Sequence, residues 1–109
     1  MAAFSIHDLE SRLKARAEAS AEVSYTRRLL DRGPAHCAKK LGEEAIETVI
    51  AALAEDRHRL IAESADLLYH LLVVLQARGI AFAEVEAALA RGRAAGAYRT
   101  PRQRLPRAP

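Results

Sequence analysis

The spacing of apolar residues predicts a chain built from helices. In the first segment, Leu9 and Leu13 lie one helical turn apart, which places them on the same helix face. Ser5 precedes this pattern, and Asp8 follows three residues later, which is the arrangement of a capping box. We therefore expect a first helix over about Ile6–Ala19.

Helix breakers and caps divide the rest of the chain. A short helix over Tyr25–Leu30 should end at Gly33 and serve as a connector that places Arg27 and Arg28. Asp56 is an N-cap candidate between two long apolar segments, and Gly79 ends the second of them. The longer helices are predicted over about Pro34–Ala54, Arg57–Arg78 and Phe82–Ala90.

These helices predict an all-α fold, an antiparallel helical bundle. A chain of 109 residues has a small core, so we expect a homodimer to complete the bundle. Residues 1–90 are predicted to form one all-α domain. Residues 91–109, which contain six Arg and several Gly and Pro, are predicted to be a basic, disordered tail.

Charge changes this picture little. The formal charge of +3 comes from the tail, since residues 1–90 hold 14 acidic and 11 basic side chains. We therefore expect no nucleic-acid partner.

The longest apolar run, Leu67–Leu75, is shorter than the ~18 residues of a membrane span. A single cysteine, Cys37, forms no internal disulfide. The chain is predicted to be cytoplasmic, with no membrane partner.

Four acidic residues form two pairs with helical spacing. Glu44 and Glu47 are three residues apart, as are Glu63 and Asp66, and 15 residues separate the pairs. Residues three apart on a helix are neighbours, so each helix carries a pair of carboxylates. If the two helices pack antiparallel, the pairs can face each other.

Two interpretations of these acids are open. They could be ordinary solvated side chains, or they could line a site. Helical phase favours a site for Glu63 and Asp66, because they begin a helix that is apolar nearly all round and therefore buried. Glu44 and Glu47 lie on a more polar face of their own helix. We assign its apolar face to the residues Ala38, Leu41, Ala45, Val49 and Leu53, with Ile46 and Ile50 at the edge of that face.

Converging carboxylates require a cation. The one cation that we find beside them, Lys40, cannot neutralise four acids, whereas a divalent metal can. Ligands that are all oxygen favour Mg²⁺, with Mn²⁺ as the alternative. Magnesium commonly shares its coordination shell with substrate phosphates, so the residues indicate hydrolysis of a phosphoanhydride.

Several nearby residues keep two interpretations each. Lys40 is either a phosphate-binding cation or part of a surface ion pair, and Lys39 is a second candidate substrate contact. Glu43 either orients water or is solvated. His70 is either a core histidine or a residue near the site. No partner base is identifiable for Cys37 as a nucleophile.

The extended motifs resemble a known family. The segments that carry the resemblance are Ser24-Tyr25-Thr26, Lys39-Lys40-Leu41-Gly42-Glu43-Glu44 and Glu63-Ser64-Ala65-Asp66-Leu67-Leu68-Tyr69-His70. ExxE followed by ExxD is typical of the all-α nucleotide pyrophosphohydrolase superfamily. Over about Phe4–Leu89 the chain closely resembles the phosphoribosyl-ATP pyrophosphohydrolases of histidine biosynthesis.

The resemblance implies a reaction and assigns residues to it. The reaction is hydrolysis of 1-(5-phosphoribosyl)-ATP to 1-(5-phosphoribosyl)-AMP and pyrophosphate. The implied metal ligands are Glu44, Glu47, Glu63 and Asp66; Glu43 and Glu47 are the implied catalytic acids, and Lys39 and Lys40 the substrate contacts. The family also implies a cytoplasmic dimer. We expect the form without a fused cyclohydrolase domain, because the sequence has no Cys/His zinc pattern.

Two rival functions share parts of this pattern. A pyrophosphatase acting on free nucleoside triphosphates would share the four acids and differ in its base and ribose pocket. A helical dimerisation or adaptor module would carry the acids without using them, but the buried phase of Glu63 and Asp66 argues against that.

Overall fold

Five helices make up the part of the chain that the computed structural model describes, residues 2–54 and 56–94. In chain order they are α1 (Ile6–Ala17), α2 (Tyr25–Asp31), α3 (Pro34–Ala54), α4 (Arg57–Ala77) and α5 (Phe82–Ala94). No strand occurs within these residues, so the predicted all-α class is confirmed.

Side-chain caps set the beginnings of three helices. The Ser5 hydroxyl accepts a hydrogen bond from the Asp8 amide at 3.2 Å, and the Asp8 carboxylate accepts one from the Ser5 amide at 2.9 Å, which completes the predicted capping box of α1. Ser24 caps α2, and Asp56 caps α4. Each such cap contributes about 1 kcal/mol.

The predicted helix ends differ from the observed ones by a few residues. α1 ends at Ala17, two residues early, because the Glu18 amide bonds to Ala15 and closes a tighter last turn. α5 continues to Ala94 instead of stopping at Ala90, since the high helix propensity of Ala and Arg there outweighs the cost of Gly92. Residues 95–109 of the predicted tail lie outside the described residues.

The core lies where α1, α2, α3 and α4 meet. Its buried apolar residues are Leu13, Leu29, Cys37, Leu72 and Val73. The most extensive packing between two helices is that of α3 against α4, which run antiparallel through a short connection at Asp56. This antiparallel pair carries both acidic motifs.

A large apolar surface of the same pair is exposed. On α3 it is the open stripe, defined as Ile46, Val49, Ile50 and Leu53, of which Ile46 is 63% and Leu53 83% exposed. On α4, Ile61 and Leu68 are also exposed. Side chains at this spacing share one face of a helix, so the exposed residues of each helix lie together on one face of it rather than at scattered positions.

By length and composition alone, α4 is apolar enough to cross a membrane. Core helices of soluble proteins have the same property, so this is weak support for a span. The expectation that the chain has no membrane partner stays a prediction.

Candidate metal centre

The face of α3 that packs against α4 is not its most apolar face. The buried residues of α3 are Cys37 and Ala51, and the half-buried residues Leu41, Glu44 and Thr48 continue this face between them at spacings of three or four. The prediction that Val49 and Leu53 belong to the packing face and Glu44 to a polar face is therefore wrong. Packing in this orientation turns Glu44 toward α4 and leaves the open stripe outside.

Three carboxylates converge between the two helices. One oxygen from each of Glu44, Glu63 and Asp66 lies within 4.8 Å of the other two. They line a cavity of about 420 Å³, whose full set of lining residues is Lys40, Glu43, Glu44, Glu47, Arg59, Glu63 and Asp66. Three hard oxygen donors at this spacing can bind one divalent cation.

Glu47 lines the same cavity but is not one of the three converging acids. It lies one turn after Glu44 and is exposed. The structure thus brings three of the four sequence-predicted ligands together and leaves the fourth at the cavity wall, within the same open space.

Burial distinguishes the acids. Glu63 is only 6% exposed, whereas Asp66 is exposed, so the argument from helical phase holds for the first and not for the second. Burial raises the pKa of the Glu63 carboxyl, and the negative charges of Glu47, Glu44 and Asp66 raise it further. A site that disfavours its own negative charge in this way is stabilised by a bound cation.

Lys40 is not the sole cation beside the acids, contrary to the sequence interpretation. The Arg59 guanidinium lines the same cavity and lies 3.8 Å from the Glu63 carboxylate. Its charge lowers the pKa of Glu63 and so opposes the effect of burial. The pair has the i, i+4 spacing of a helical ion pair, which is already visible in the sequence.

Thr48 contacts the backbone of two of the converging acids, one on each helix. Its hydroxyl lies 2.8 Å from the carbonyl oxygen of Glu44 and 3.2 Å from that of Glu63. The hydroxyl carries one hydrogen and lies within hydrogen-bond distance of the backbone of an acid on each helix. No sequence signal singled out Thr48, because its role depends on how α3 and α4 pack.

Lys40 is held by a neighbouring acid. Its ammonium lies 3.1 Å from the Glu43 carboxylate. This hydrogen bond raises the pKa of Lys40 and lowers that of Glu43. Lys39 is exposed and is not among the residues that line the acidic cavity.

Two further candidates, His70 and Cys37, do not line the acidic cavity. His70 is 6% exposed, and its Nδ1 has no hydrogen-bond partner in the described part of the chain. Burial lowers its pKa, and the charge of Lys40 lowers it further. Burial raises the pKa of the Cys37 thiol, which disfavours a reactive thiolate.

The two arginines of α2 bind backbone carbonyls before their helix. Arg27 donates to the carbonyl of Ala17 at 3.1 Å, and Arg28 donates to that of Ala21 at 2.7 Å. They therefore fix the connection between α1 and α2, and neither lines the acidic cavity.

Comparisons with known proteins identify the family of the chain. Residues 6–93 match the phosphoribosyl-ATP pyrophosphohydrolase family. The chain is 66% identical over 89 residues to the phosphoribosyl-ATP pyrophosphatase 1 of Bradyrhizobium diazoefficiens, covering 82% of this chain and 84% of the relative. It is 60% identical over 90 residues to the phosphoribosyl-ATP pyrophosphatase of Nitrobacter winogradskyi, covering 83% and 78%. The chain therefore belongs to the phosphoribosyl-ATP pyrophosphohydrolase family.

Proposed function

We propose that this chain hydrolyses 1-(5-phosphoribosyl)-ATP to 1-(5-phosphoribosyl)-AMP and pyrophosphate, the second step of histidine biosynthesis, with Mg²⁺ or Mn²⁺ at the acidic site. The observation that carries the site assignment is the convergence of Glu44, Glu63 and Asp66 within 4.8 Å. Membership of the family and relatives named for this activity support the substrate.

The donor set fits a hard divalent ion. Glu44, Glu63 and Asp66 would hold it, with Glu47 in reach from the cavity wall. Oxygen ligands without sulfur or histidine favour magnesium or manganese. Such an ion would supply charge neutralisation for the phosphate oxygens of the nucleotide.

The protein groups have separable roles in the hydrolysis. A water oxygen bonds to phosphorus while the bond to the bridging α–β oxygen breaks, and the water loses a proton to a carboxylate. We assign this proton to Glu47, because the ion pair with Lys40 lowers the pKa of Glu43 and weakens Glu43 as a proton acceptor. Glu43 then positions Lys40, whose ammonium binds a phosphate oxygen. Lys39 is proposed to add an outer substrate contact.

A second copy of the chain is the proposed cover for the open stripe. Exposed large side chains on α3 and α4 form a patch of the kind that marks a protein interface. We propose a cytoplasmic homodimer with α3 and α4 at its interface.

Single-atom changes at the acids test the site. Glu47→Gln and Asp66→Asn replace a carboxylate oxygen by an amide nitrogen with almost no change in volume. We expect each to reduce Mg²⁺-dependent pyrophosphate release from phosphoribosyl-ATP by at least about 10²-fold, with the helical circular-dichroism signal retained. Glu22→Gln is the matched control, since Glu22 is exposed and outside the cavity.

Substrate comparison tests the reaction. The wild-type chain should release pyrophosphate faster from phosphoribosyl-ATP than from dUTP or another free nucleoside triphosphate. Faster turnover of dUTP would assign the chain to the rival pyrophosphatase class. Full activity of Asp66→Asn would contradict the site.

A further inference from the structure

A cationic cleft lies between α2 and α3, next to the acidic cavity. It has a volume of about 340 Å³, and its lining residues are Tyr25, Arg28, Leu29, Arg32, His36 and Lys40. Lys40 also lines the acidic cavity. The two cavities therefore share a wall, and one bound molecule can extend from the carboxylates into the cleft.

Arg28 and Arg32 differ in their contacts within the cleft. Arg28 is held by its hydrogen bond to Ala21 and lies 5.8 Å above the Tyr25 ring. Arg32, the exposed C-cap residue of α2, forms no salt bridge or side-chain hydrogen bond within residues 2–54 and 56–94. An unpaired guanidinium offers a fork of N–H donors that matches phosphate oxygens.

The imidazole of His36 lines the cleft, and the positive charges around it affect its pKa. Loss of hydration is the largest cause that lowers the pKa of His36, and the charges of Arg32, Lys39 and Lys40 lower it further. Three cations, one at the C-terminal end of α2 and two on α3, thus act on the imidazole of His36. Glu43, bound to Lys40, is the one acid that opposes them at His36, which leaves the cleft with net positive charge.

We propose that this cleft binds the phosphates that leave as pyrophosphate, an inference that rests on the proposed function. In a nucleoside triphosphate the β- and γ-phosphates lie directly beside the α–β bond. With that bond at the carboxylates, the proposed orientation extends these two groups past Lys40 into the cleft. Arg32 and Arg28 then neutralise the charge that accumulates on the leaving group.

Calorimetric titration with pyrophosphate in the presence of Mg²⁺ tests the subsite without turnover. We expect Arg32→Ala to weaken pyrophosphate binding about tenfold, as for loss of one charge-assisted hydrogen bond, and Arg32→Glu to weaken it further. Arg12→Ala is the matched control, because Arg12 lies on α1 over the Phe4 ring and outside the cleft. Its affinity should stay within about twofold of wild type.

A titration with ribose 5-phosphate identifies which end of the substrate the cleft binds. Its affinity should be unchanged in the Arg32 variants. Unchanged pyrophosphate affinity in Arg32→Glu, or weakened ribose 5-phosphate binding with intact pyrophosphate binding, would overturn the assignment. Equal losses in Arg12→Ala would overturn it as well. Failure of the wild type to hydrolyse phosphoribosyl-ATP would instead contradict the proposed function, and the titrations would still decide the subsite.

Discussion

Replacing Thr48 with valine removes the hydroxyl that joins α3 to α4 at the acidic cluster. Valine has nearly the same shape but no donor. The hydroxyl lies 2.8 Å from the Glu44 carbonyl and 3.2 Å from the Glu63 carbonyl, and both carbonyls lie inside helices, where they also accept backbone hydrogen bonds. The loss is therefore close to the net value of one hydrogen bond, about 1 kcal/mol. In a domain of this size that lowers the Tm by about 4–8 °C.

The effect on the metal should exceed the effect on stability. Thr48 fixes the backbone of one acid on each helix, and groups that orient metal ligands typically contribute about 10–100-fold to affinity. We expect Thr48→Val to weaken Mn²⁺ binding at least tenfold, about the lower end of that range, as measured by calorimetry. Thr48→Ser keeps the hydroxyl and should keep most of the affinity.

Thr26→Val is the matched control for a general loss of stability. The Thr26 hydroxyl lies 2.6 Å from the Tyr69 hydroxyl and outside the acidic cavity. This variant should lose a comparable amount of stability and bind Mn²⁺ as the wild type does. Wild-type affinity in Thr48→Val, or equal losses of affinity in both valine variants, would refute the positioning role of Thr48.

Two further predictions concern assembly and pH. Ile50→Lys places a charge in the open stripe and should convert a dimer to monomers of 11.9 kDa in sedimentation velocity. Val23→Lys, at a more exposed position on the connection between α1 and α2, should leave the dimer intact. Burial lowers the pKa of His70 below its ordinary 6.5. Below about pH 6.5 the unfolded chain therefore binds a proton at His70 that the folded chain does not, and the free energy of unfolding falls as the pH is lowered. His70→Phe should reduce that loss in urea unfolding at fixed protein concentration, whereas His58→Gln, on an exposed residue, should not; an unchanged pH profile in His70→Phe would contradict the assignment.

The helix boundaries were largely predictable because local chemistry sets them. Gly33 and Pro34 separate α2 from α3, and Asp56 caps α4, so the bounds of α3 and the start of α4 agree with the prediction. The end of α5 was not predictable in this way. No cap or proline precedes Ala94, and a single glycine costs too little to end a helix rich in Ala and Arg.

The acidic site was predictable as a set of residues and not as an arrangement. Two i, i+3 pairs on adjacent antiparallel helices had to lie near each other, and the structure brings Glu44, Glu63 and Asp66 together. That Glu44 faces α4 and that Thr48 joins the site depends on the rotation of α3 about its own axis, whereas the i, i+4 spacing of Arg59 and Glu63 on α4 is visible in the sequence. The sequence pattern assigned that rotation incorrectly.

The proposed dimer gives a physical explanation for the error in rotation. Periodicity predicts that the most apolar face of a helix packs inward, yet α3 turns its open stripe outward and Glu44 inward. Burying one large aliphatic side chain contributes about 1.5–3 kcal/mol, so a lone chain forgoes several such contributions by adopting this orientation. A second copy on the open stripe would restore them. In that case α3 has two buried faces, one packed within the chain around the acids and one between chains. The apolar periodicity of α3 marks the face between chains.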